Sequence, residues 1–482
     1  MASAASSPPP AQSPPLYRAI WRWHFYAGLI VAPFLLILSV TGAIYLFNDE
    51  LNDAFYAELR FVTPQESRQP VSRLIDAALA AYPGTATRID LPAVPDRSAV
   101  VFVTPASGDP LRVSVDPGTG RVLGSFVYER TLVGFADVAH GSLTIGTTGD
   151  RIVELAACWA LVLIASGVYL WWPRGRKGWA GLLFPRLGRK GRLFWRDLHA
   201  VTGFWTVALI GFLIVTGLPW AGVQGDLLKR AFAATGIGYP AANRNYDPPR
   251  SVPMKAALGE APWTLEDAPM PASDPHAGHP GHGIMPAKDN HPPATVTDAI
   301  VARLAGQGLE GGYRLFLPSG PTGVFTAYTY PDQPQGQRTL YFDRYSGGLI
   351  REVSWADYGA GAKAIELGVQ LHMGNYFGRA NQMLMLVPCI GIVLLVASGL
   401  VMWWKRRPLG TLGAPPADGR RVGPGFAAMI LALALLLPLM GLSLIVVAVL
   451  ERLVLSRIPP VRVWLGLAGS PPAGSPRIRS WE

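Results

Sequence analysis

HFYAGLIVAPFLLILSVTG at residues 24–42 and HAVTGFWTVALIGFLIVTG at residues 199–217 are two versions of one segment. Each opens on a histidine, places a glycine one helical turn later (Gly28, Gly203), and closes on Thr-Gly (Thr41-Gly42, Thr216-Gly217). The residues between are nearly all apolar. At about 1.5 Å of rise per residue such a segment is roughly 27 Å of helix, close to the thickness of a bilayer core. A second pair of markers repeats in step. His140 is followed by Ser166-Gly167 and Trp171-Trp172, and His372 by Ser398-Gly399 and Trp403-Trp404 at the same spacings. The chain therefore reads as two copies of one unit, each with a histidine near both ends of a helix pair.

Composition agrees with a membrane protein that also carries extramembrane domains: of 482 residues, 50% are hydrophobic and 15% charged. Five stretches reach the length needed to cross a bilayer as helix, at 25–47, 152–172, 200–221, 383–404 and 425–450. The Ser/Pro/Ala start lacks the charged beginning and apolar core of a cleavable signal, so helix one is expected to be its own anchor.

Basic residues set the expected orientation. The loop 173–198 holds Arg174, Arg176, Lys177, Arg186, Arg189, Lys190, Arg192 and Arg196 against one acid, Asp197. Arg18 and Arg22 precede helix one, and Lys405, Arg406 and Arg407 follow helix four. Positive loops stay in the cytoplasm, which places 48–151 and 222–382 outside. A fifth crossing would put the C-terminus outside as well, against the evidence of Arg452, Arg457 and Arg462. The net charge of +10 is mostly this asymmetry, so nucleic acid is not needed as a partner. Cys158 and Cys389 lie inside helices, no C-x-x-C-H motif is present, and both read as small packing residues.

Each outer region carries a helix and short strands. In the first, a helix over 71–82 precedes strands at 99–103, 111–115 and 121–127. In the second, a helix over 295–305 precedes strands at 313–317, 324–330, 340–342 and 348–353. The turns Asp116-Pro117-Gly118-Thr119-Gly120 and Asp343-Arg344-Tyr345-Ser346-Gly347 answer one another. Two small α+β domains follow, one per repeat.

The expected organisation is a tail (1–16), helix one (17–47), a first α+β domain (48–139), and a His segment with helix two (140–172). A basic loop (173–198) and helix three (199–221) follow. A second α+β domain (222–371) carries an insertion at about 240–295. Then come a His segment with helix four (372–404), a loop (405–424), helix five (425–450) and a tail (451–482). The fold class is an integral membrane α-helical bundle, four core helices in two repeats plus a fifth, with two periplasmic α+β domains.

A His segment entering the membrane, a helix ending Thr-Gly, an α+β domain with an Asp-x-x-x-Gly turn, a second His, then Ser-Gly and Trp-Trp with basic residues: this pattern resembles the PepSY-associated transmembrane family. The resemblance covers about residues 17–407. Its functional likeness is to inner-membrane ferric-siderophore reductases carrying b-type haem, and it implies haem and ferric reduction.

Read from the residues alone, the histidines imply paired sites. Ionisable side chains in or beside a membrane core are costly to keep and usually face a partner. Neutral imidazole is a good axial ligand for haem iron, and two leave no open position, which suits electron transfer. A two-fold relation pairs His24 with His199 near the cytoplasmic face and His140 with His372 near the outer one; with the haem that the resemblance implies, that makes two b haems. Arg22 and Arg196 stand beside the inner histidines as candidates to pair with haem propionates, and positive-inside retention explains them equally well. The helix glycines read either as close-packing points or as clearance for a flat macrocycle, and the Trp pairs as an interfacial belt.

The interval His199–His372 exceeds His24–His140 by 57 residues, most of them in the 240–295 insertion. This segment is rich in Pro and Gly and contains Met270, His276, His279, His282, Met285 and His291. The His-x-x-His-x-x-His spacing is not that of a helical zinc site. Imidazole with thioether suits copper, so the segment reads either as a flexible metal-collecting loop (copper or iron) or as a solvated linker.

The expectation is a di-haem b oxidoreductase of the inner membrane. It would take electrons from quinol or a cytoplasmic reductase and reduce a ferric siderophore or other metal chelate on the far side. No G-x-G-x-x-G fingerprint or flavin motif precedes a helix in the basic loops, so the electron donor is expected to be separate. Two rivals stand beside it: a copper-handling or cupric-reducing protein using the His/Met loop, and a non-catalytic regulator whose outer domains bind a partner.

Overall fold

A computed structural model describes residues 15–174, 179–238, 252–273, 293–415 and 424–467. In chain order the helices are α1 (Pro15–Leu46), α2 (Asn48–Phe55), α3 (Ala57–Arg60), α4 (Val71–Ala81), α5 (Leu132–Ser142), α6 (Gly146–Trp171), α7 (Arg192–Gly217), α8 (Gly222–Thr235), α9 (Met254–Leu258), α10 (Ala294–Gly306), α11 (Ala360–His372), α12 (Arg379–Arg406), α13 (Pro424–Leu436), α14 (Pro438–Leu453) and α15 (Pro459–Trp464). The strands are β1 (Thr85–Leu91), β2 (Ala99–Thr104), β3 (Leu111–Val115), β4 (Val122–Phe126), β5 (Tyr313–Phe316), β6 (Val324–Thr329), β7 (Arg338–Asp343) and β8 (Leu349–Ser354). The chain divides into two compact units. One comprises Met1–Val40, Ile145–Gln224 and Val387–Glu482, the other Thr41–Thr144 and Gly225–Leu386.

The first unit is helical. Five helices are long and apolar enough to cross a membrane: Leu16–Leu46, Gly146–Trp171, Arg192–Trp220, Arg379–Arg406 and Pro438–Arg457. Small residues set the close approaches in the same way in both repeats. A Cβ at Gly28 would stand 3.8 Å from Leu163 Cδ2, and one at Gly203 3.5 Å from Leu395 Cδ2, so these two glycines are packing points between helices. The Trp pairs divide their work. Trp171 Nε1 donates to Leu182 O (3.1 Å) and Trp403 Nε1 to Leu412 O (2.8 Å), pinning the loop after each span. Trp172 and Trp404 remain exposed, as an interfacial belt requires. Asp197 is fully buried and gathers Arg186 (Nε 2.6 Å, Nη2 2.9 Å) and Arg196 (Nη2 2.8 Å), which fastens the basic loop to α7.

The fifth helix departs from expectation. It is broken at Leu437–Pro438, because Pro438 brings no N–H to continue the ladder. Beyond the break the chain turns back. A Cβ at Gly441 would meet the Ala434 carbonyl at 2.7 Å, which places α14 alongside α13. Leu437 and Met440, at the tip, are buried against Cys158 in the middle of α6. From there α14 leads to α15, where Leu465 O accepts from Arg22 and Tyr26 near the start of α1, and Trp464 O accepts from Leu412 N. The α13–α14 pair is thus a hairpin, and the segment after it returns to the end of the bundle that holds Arg22. That corrects the reading of 425–450 as one continuous helix.

The second unit is built on one sheet, in the order β4-β3-β2-β1-β5-β6-β7-β8, antiparallel throughout. Two separate α+β domains were expected; instead β1 pairs with β5, centred on Ile89↔Leu315, and the halves fuse. One face carries Ile89, Val101, Val113, Leu315, Phe325, Leu340 and Phe342 against α4 and α10. Each such side chain contributes about 1.5–3 kcal/mol when buried. Ser72 on α4 donates to Asp298 on α10 through both its backbone N (3.0 Å) and Oγ (2.6 Å), tying the two helices. The duplicated Asp turns are structural. Asp116 Oδ1 accepts from Gly118 N (2.9 Å), and Asp343 Oδ1 from Tyr345 N (2.9 Å) and Ser346 N (2.8 Å).

The opposite face differs between halves. Over β5–β8 it is covered by residues 252–273: Met254, Leu265, Ala268 and Met270 pack on Phe316, Tyr328 and Tyr341. Over β1–β4, Phe102, Arg112 and Phe126 are only half-buried. The registers make Arg88 the counterpart of Arg314, Phe102 of Tyr328, and Arg112 of Thr339.

Candidate functional site

His24 on α1 and His199 on α7 meet as expected. Their ring centroids are 6.4 Å apart and their planes perpendicular, at 90°. Two imidazoles facing each other across one metal ion, with metal–nitrogen bonds of about 2.0–2.1 Å, have centroids about 6.4 Å apart. Both rings are half-buried, so accessible space remains beside them within the helical unit.

The hydrogen bonds decide which nitrogen is available. His24 Nδ1 lies 2.8 Å from Ser166 Oγ, whose own proton goes back to Val162 O at 2.7 Å. His199 Nδ1 lies 3.0 Å from Ser398 Oγ and 3.1 Å from Leu395 O, and Ser398 Oγ donates to Leu394 O at 2.6 Å. A carbonyl only accepts, and each serine proton is already used, so in both rings Nδ1–H donates. Nε2 is left with its lone pair in each. A fixed Nδ1–H donor orienting an Nε2 ligand is the usual outer support of a metal-binding imidazole. The next residue in each Ser-Gly pair gives the ring room: a Cβ at Gly167 would lie 3.4 Å from His24 Cε1, and one at Gly399 3.6 Å from His199 Cε1. At these positions glycine accommodates the imidazole itself.

Two imidazoles under-fill a bare zinc or copper ion, which takes about four ligands. Among the described residues no group of three or more His, Cys, Asp or Glu side chains is placed to hold a metal ion. A tetrapyrrole, which brings four nitrogens of its own and needs one ligand on each side, fits the pair better.

The arginines fall out differently from expectation. Arg22 donates to Pro415 O (2.6 Å) and Leu465 O (3.3 Å), and Arg196 belongs to the Asp197 cluster. Both are already engaged by protein acceptors, which a propionate would have to share. Arg406, counted in the sequence only as a positive-inside residue, stands closer to the site. Its guanidinium lies 5.0 Å from the rings of both Trp21 and Phe25, which flank His24 on α1. Its Nε is buried without a hydrogen-bond partner among the described residues. An unsatisfied buried donor on a cation beside the histidine pair matches an incoming carboxylate.

His140 and His372 occupy equivalent places in the sheet unit. His140 is in the last turn of α5, with Nδ1 3.1 Å from Thr41 Oγ1, and His372 ends α11. Neither lies on a continuous extension of the following span. After His140 the chain turns through Leu143 (φ 49°), Thr144 (φ 62°) and Gly146 (φ 62°); after His372 it uses Gly374 (φ 80°) and Gly378 (φ 58°). Left-handed backbone costs glycine little but is strained for a β-branched threonine, so the first turn holds its shape against a local preference. His276, His279, His282, Met285 and His291 lie outside the described residues. Met270, grouped with them in the sequence, is a core residue at 7% exposure.

Sequence reasoning found the four histidines but missed what Ser166, Ser398 and Thr41 do. The signal was present, since each sits at a duplicated spacing. It was used to establish the repeat and not to ask which ring each hydroxyl would hold. Among known proteins, the chain is similar to an uncharacterized protein of Pseudomonas aeruginosa, 29% identical over 316 residues, covering 63% of this chain and 71% of that one. The sequence profile of the PepSY-associated TM region matches residues 21–406, and the chain belongs to that family.

Proposed function

We propose that this membrane protein carries electrons through b-type haem and delivers them to a metal chelate, a ferric siderophore being the class we favour. The observation that carries the reading is the His24–His199 pair: perpendicular rings 6.4 Å apart, each with Nδ1 engaged and Nε2 free. Haem bound there would supply one-electron ferric/ferrous chemistry. The protein's own part is to orient and exclude. Ser166, Ser398 and Leu395 O hold the ring tautomers, Gly167 and Gly399 let the rings lie against their helices, and Arg406 offers a donor to a propionate. His24 and His199 would hold the haem through Nε2 and leave it no open position, which would favour electron transfer over ligand binding. His140 and His372 are proposed as ligands of a second haem. One electron per ferric ion gives the ferrous ion, which hard oxygen donors hold far more weakly, so the iron leaves. Electrons would come from quinol or a cytoplasmic reductase.

The test is a pyridine haemochrome assay with iron stoichiometry on the full chain purified in detergent after haem-replete expression. Two b haems per chain are expected. His24→Ala and His199→Ala should each remove one and leave the other; His140→Ala and His372→Ala should do the reverse. A chain that folds and carries no b-type spectrum ends the proposal.

A further inference from the structure

Across the sheet, directly opposed residues on the face away from α4 and α10 run Phe126, Arg112, Phe102, Arg88, Phe316. Cations and aromatic rings alternate along this row. Arg88 lies 3.7 Å over the Phe102 ring, and its charge is answered by Asp90 (Nε 2.6 Å, Nη2 2.8 Å) and Glu260. Arg314, its counterpart, is likewise paired with Glu260 and bonded to Tyr328 OH (3.0 Å). Arg112 is different. Its guanidinium stacks 3.7 Å over Tyr128 and lies 5.0 Å from the ring of Phe102, yet among the described residues it makes no hydrogen bond or ion pair.

Stacking fixes a guanidinium by its face and leaves its N–H edge free, and that edge matches a planar pair of oxygens. Nearby groups do not fill the role. Tyr128 OH donates to Asp137 (3.0 Å), whose carboxyl is pushed up by burial. Burial also pulls the Arg112 guanidinium below its ordinary value. Glu260, which neutralises the other two arginines, comes from the segment over β5–β8 and reaches Arg88 on β1, but it makes no hydrogen bond or ion pair with Arg112.

We propose that Arg112, held between Tyr128 and Phe102, is an oxyanion-binding subsite that selects negatively charged metal chelates, those presenting carboxylate or catecholate oxygens, over neutral ones. Arg88 acts as a positioning residue through the Phe102 ring. The proposal rests on the reading of the protein as a chelate reductase, and binding can be measured apart from reduction.

The experiment is equilibrium binding to the oxidised full-length protein in detergent, with no reductant present. Ferric citrate and ferric 2,3-dihydroxybenzoate serve as anionic probes and ferric acetohydroxamate as the neutral one. Arg112→Gln should weaken binding of both anions about tenfold or more and leave the neutral probe unchanged, with Arg112→Lys recovering part of the loss. Thermal midpoints of the variants serve as the folding control. If one anion alone responds, the oxygen class is narrowed to it. Wild-type protein that binds neither anion, or an Arg112→Gln loss that is absent or equal for the neutral probe, overturns the proposal. Haem content is measured on the same wild-type preparation by pyridine haemochrome, so a failed haem assay and a failed binding assay are told apart.

Discussion

The two halves of the sheet share a frame and differ in what lies on it. Over β5–β8 the segment 252–273 seals the second face: Tyr341 is at 1% exposure, Tyr328 at 2% and Thr339 at 2%, and the cation on β5, Arg314, is paired with Glu260 from that segment. Over β1–β4 the described residues 252–273 do not extend, Tyr56 stacks on Phe126 at the edge, and the position equivalent to Thr339 is Arg112. A duplicated fold can thus specialise by covering one copy. The covered half becomes core, and the half left accessible is free to keep a cation that a core would not tolerate.

Exchanging the two residues is the sharpest way to break this comparison. Thr339→Arg puts an unpaired cation beneath the cover and should destabilise the protein by about 3–5 kcal/mol, read as a large fall in thermal midpoint or loss of folded protein. Arg112→Thr should cost about 1 kcal/mol or less. Equal effects would mean that the cover does not define the difference. Next in size, Leu265→Ala, at a fully buried position of the covering segment, should cost about 2–5 kcal/mol and raise proteolysis within 252–273. A change no larger than an exposed substitution gives would show that the cover is not packed as described.

The histidine pair has its own asymmetry. His199 Nδ1 has two acceptors and His24 Nδ1 one. Ser166→Ala should therefore loosen its ring more than Ser398→Ala loosens the other. The readout is the midpoint potential and line shape of the bound haem; equal shifts would remove the proposed role of the Leu395 carbonyl. The smallest effect concerns Glu366, fully buried on α11, whose carboxyl is raised above the ordinary 4.5 by burial, although Thr264 Oγ1 (2.7 Å) and Gln337 Nε2 (3.1 Å) donate to it. A carboxyl raised on folding contributes stability that is fully present below pH 4.5 and lost as pH rises through its folded value. Glu366→Gln should narrow the difference in thermal midpoint between pH 4 and pH 8. An unchanged difference would show that this group does not drive it.

Much of this was legible in the chain. His24 and His199 were paired from the spacing of Thr-Gly and Ser-Gly alone, because a two-fold repeat forces equivalent residues together. What stayed hidden has physical causes. Strand β1 was missed because Arg88 and Asp90 interrupt the expected alternation, and only their pairing in the sheet shows why a strand tolerates them. The fusion of the halves depends on the β1–β5 edge, and an edge carries no sequence label. The stretch 425–450 read as one helix because hydropathy counts apolar residues and not direction; the helix breaks and the chain turns back at Pro438. The segment 252–273 read as linker because its Pro and Gly content outweighed the few large side chains that anchor it.

The α13–α14 hairpin carries a consequence for parity. Because it doubles back, Leu465 stands beside Arg22 and Tyr26, near the start of α1. Fluorescent or phosphatase reporters fused at the two ends should then report alike, and opposite reports would require an odd number of crossings between them.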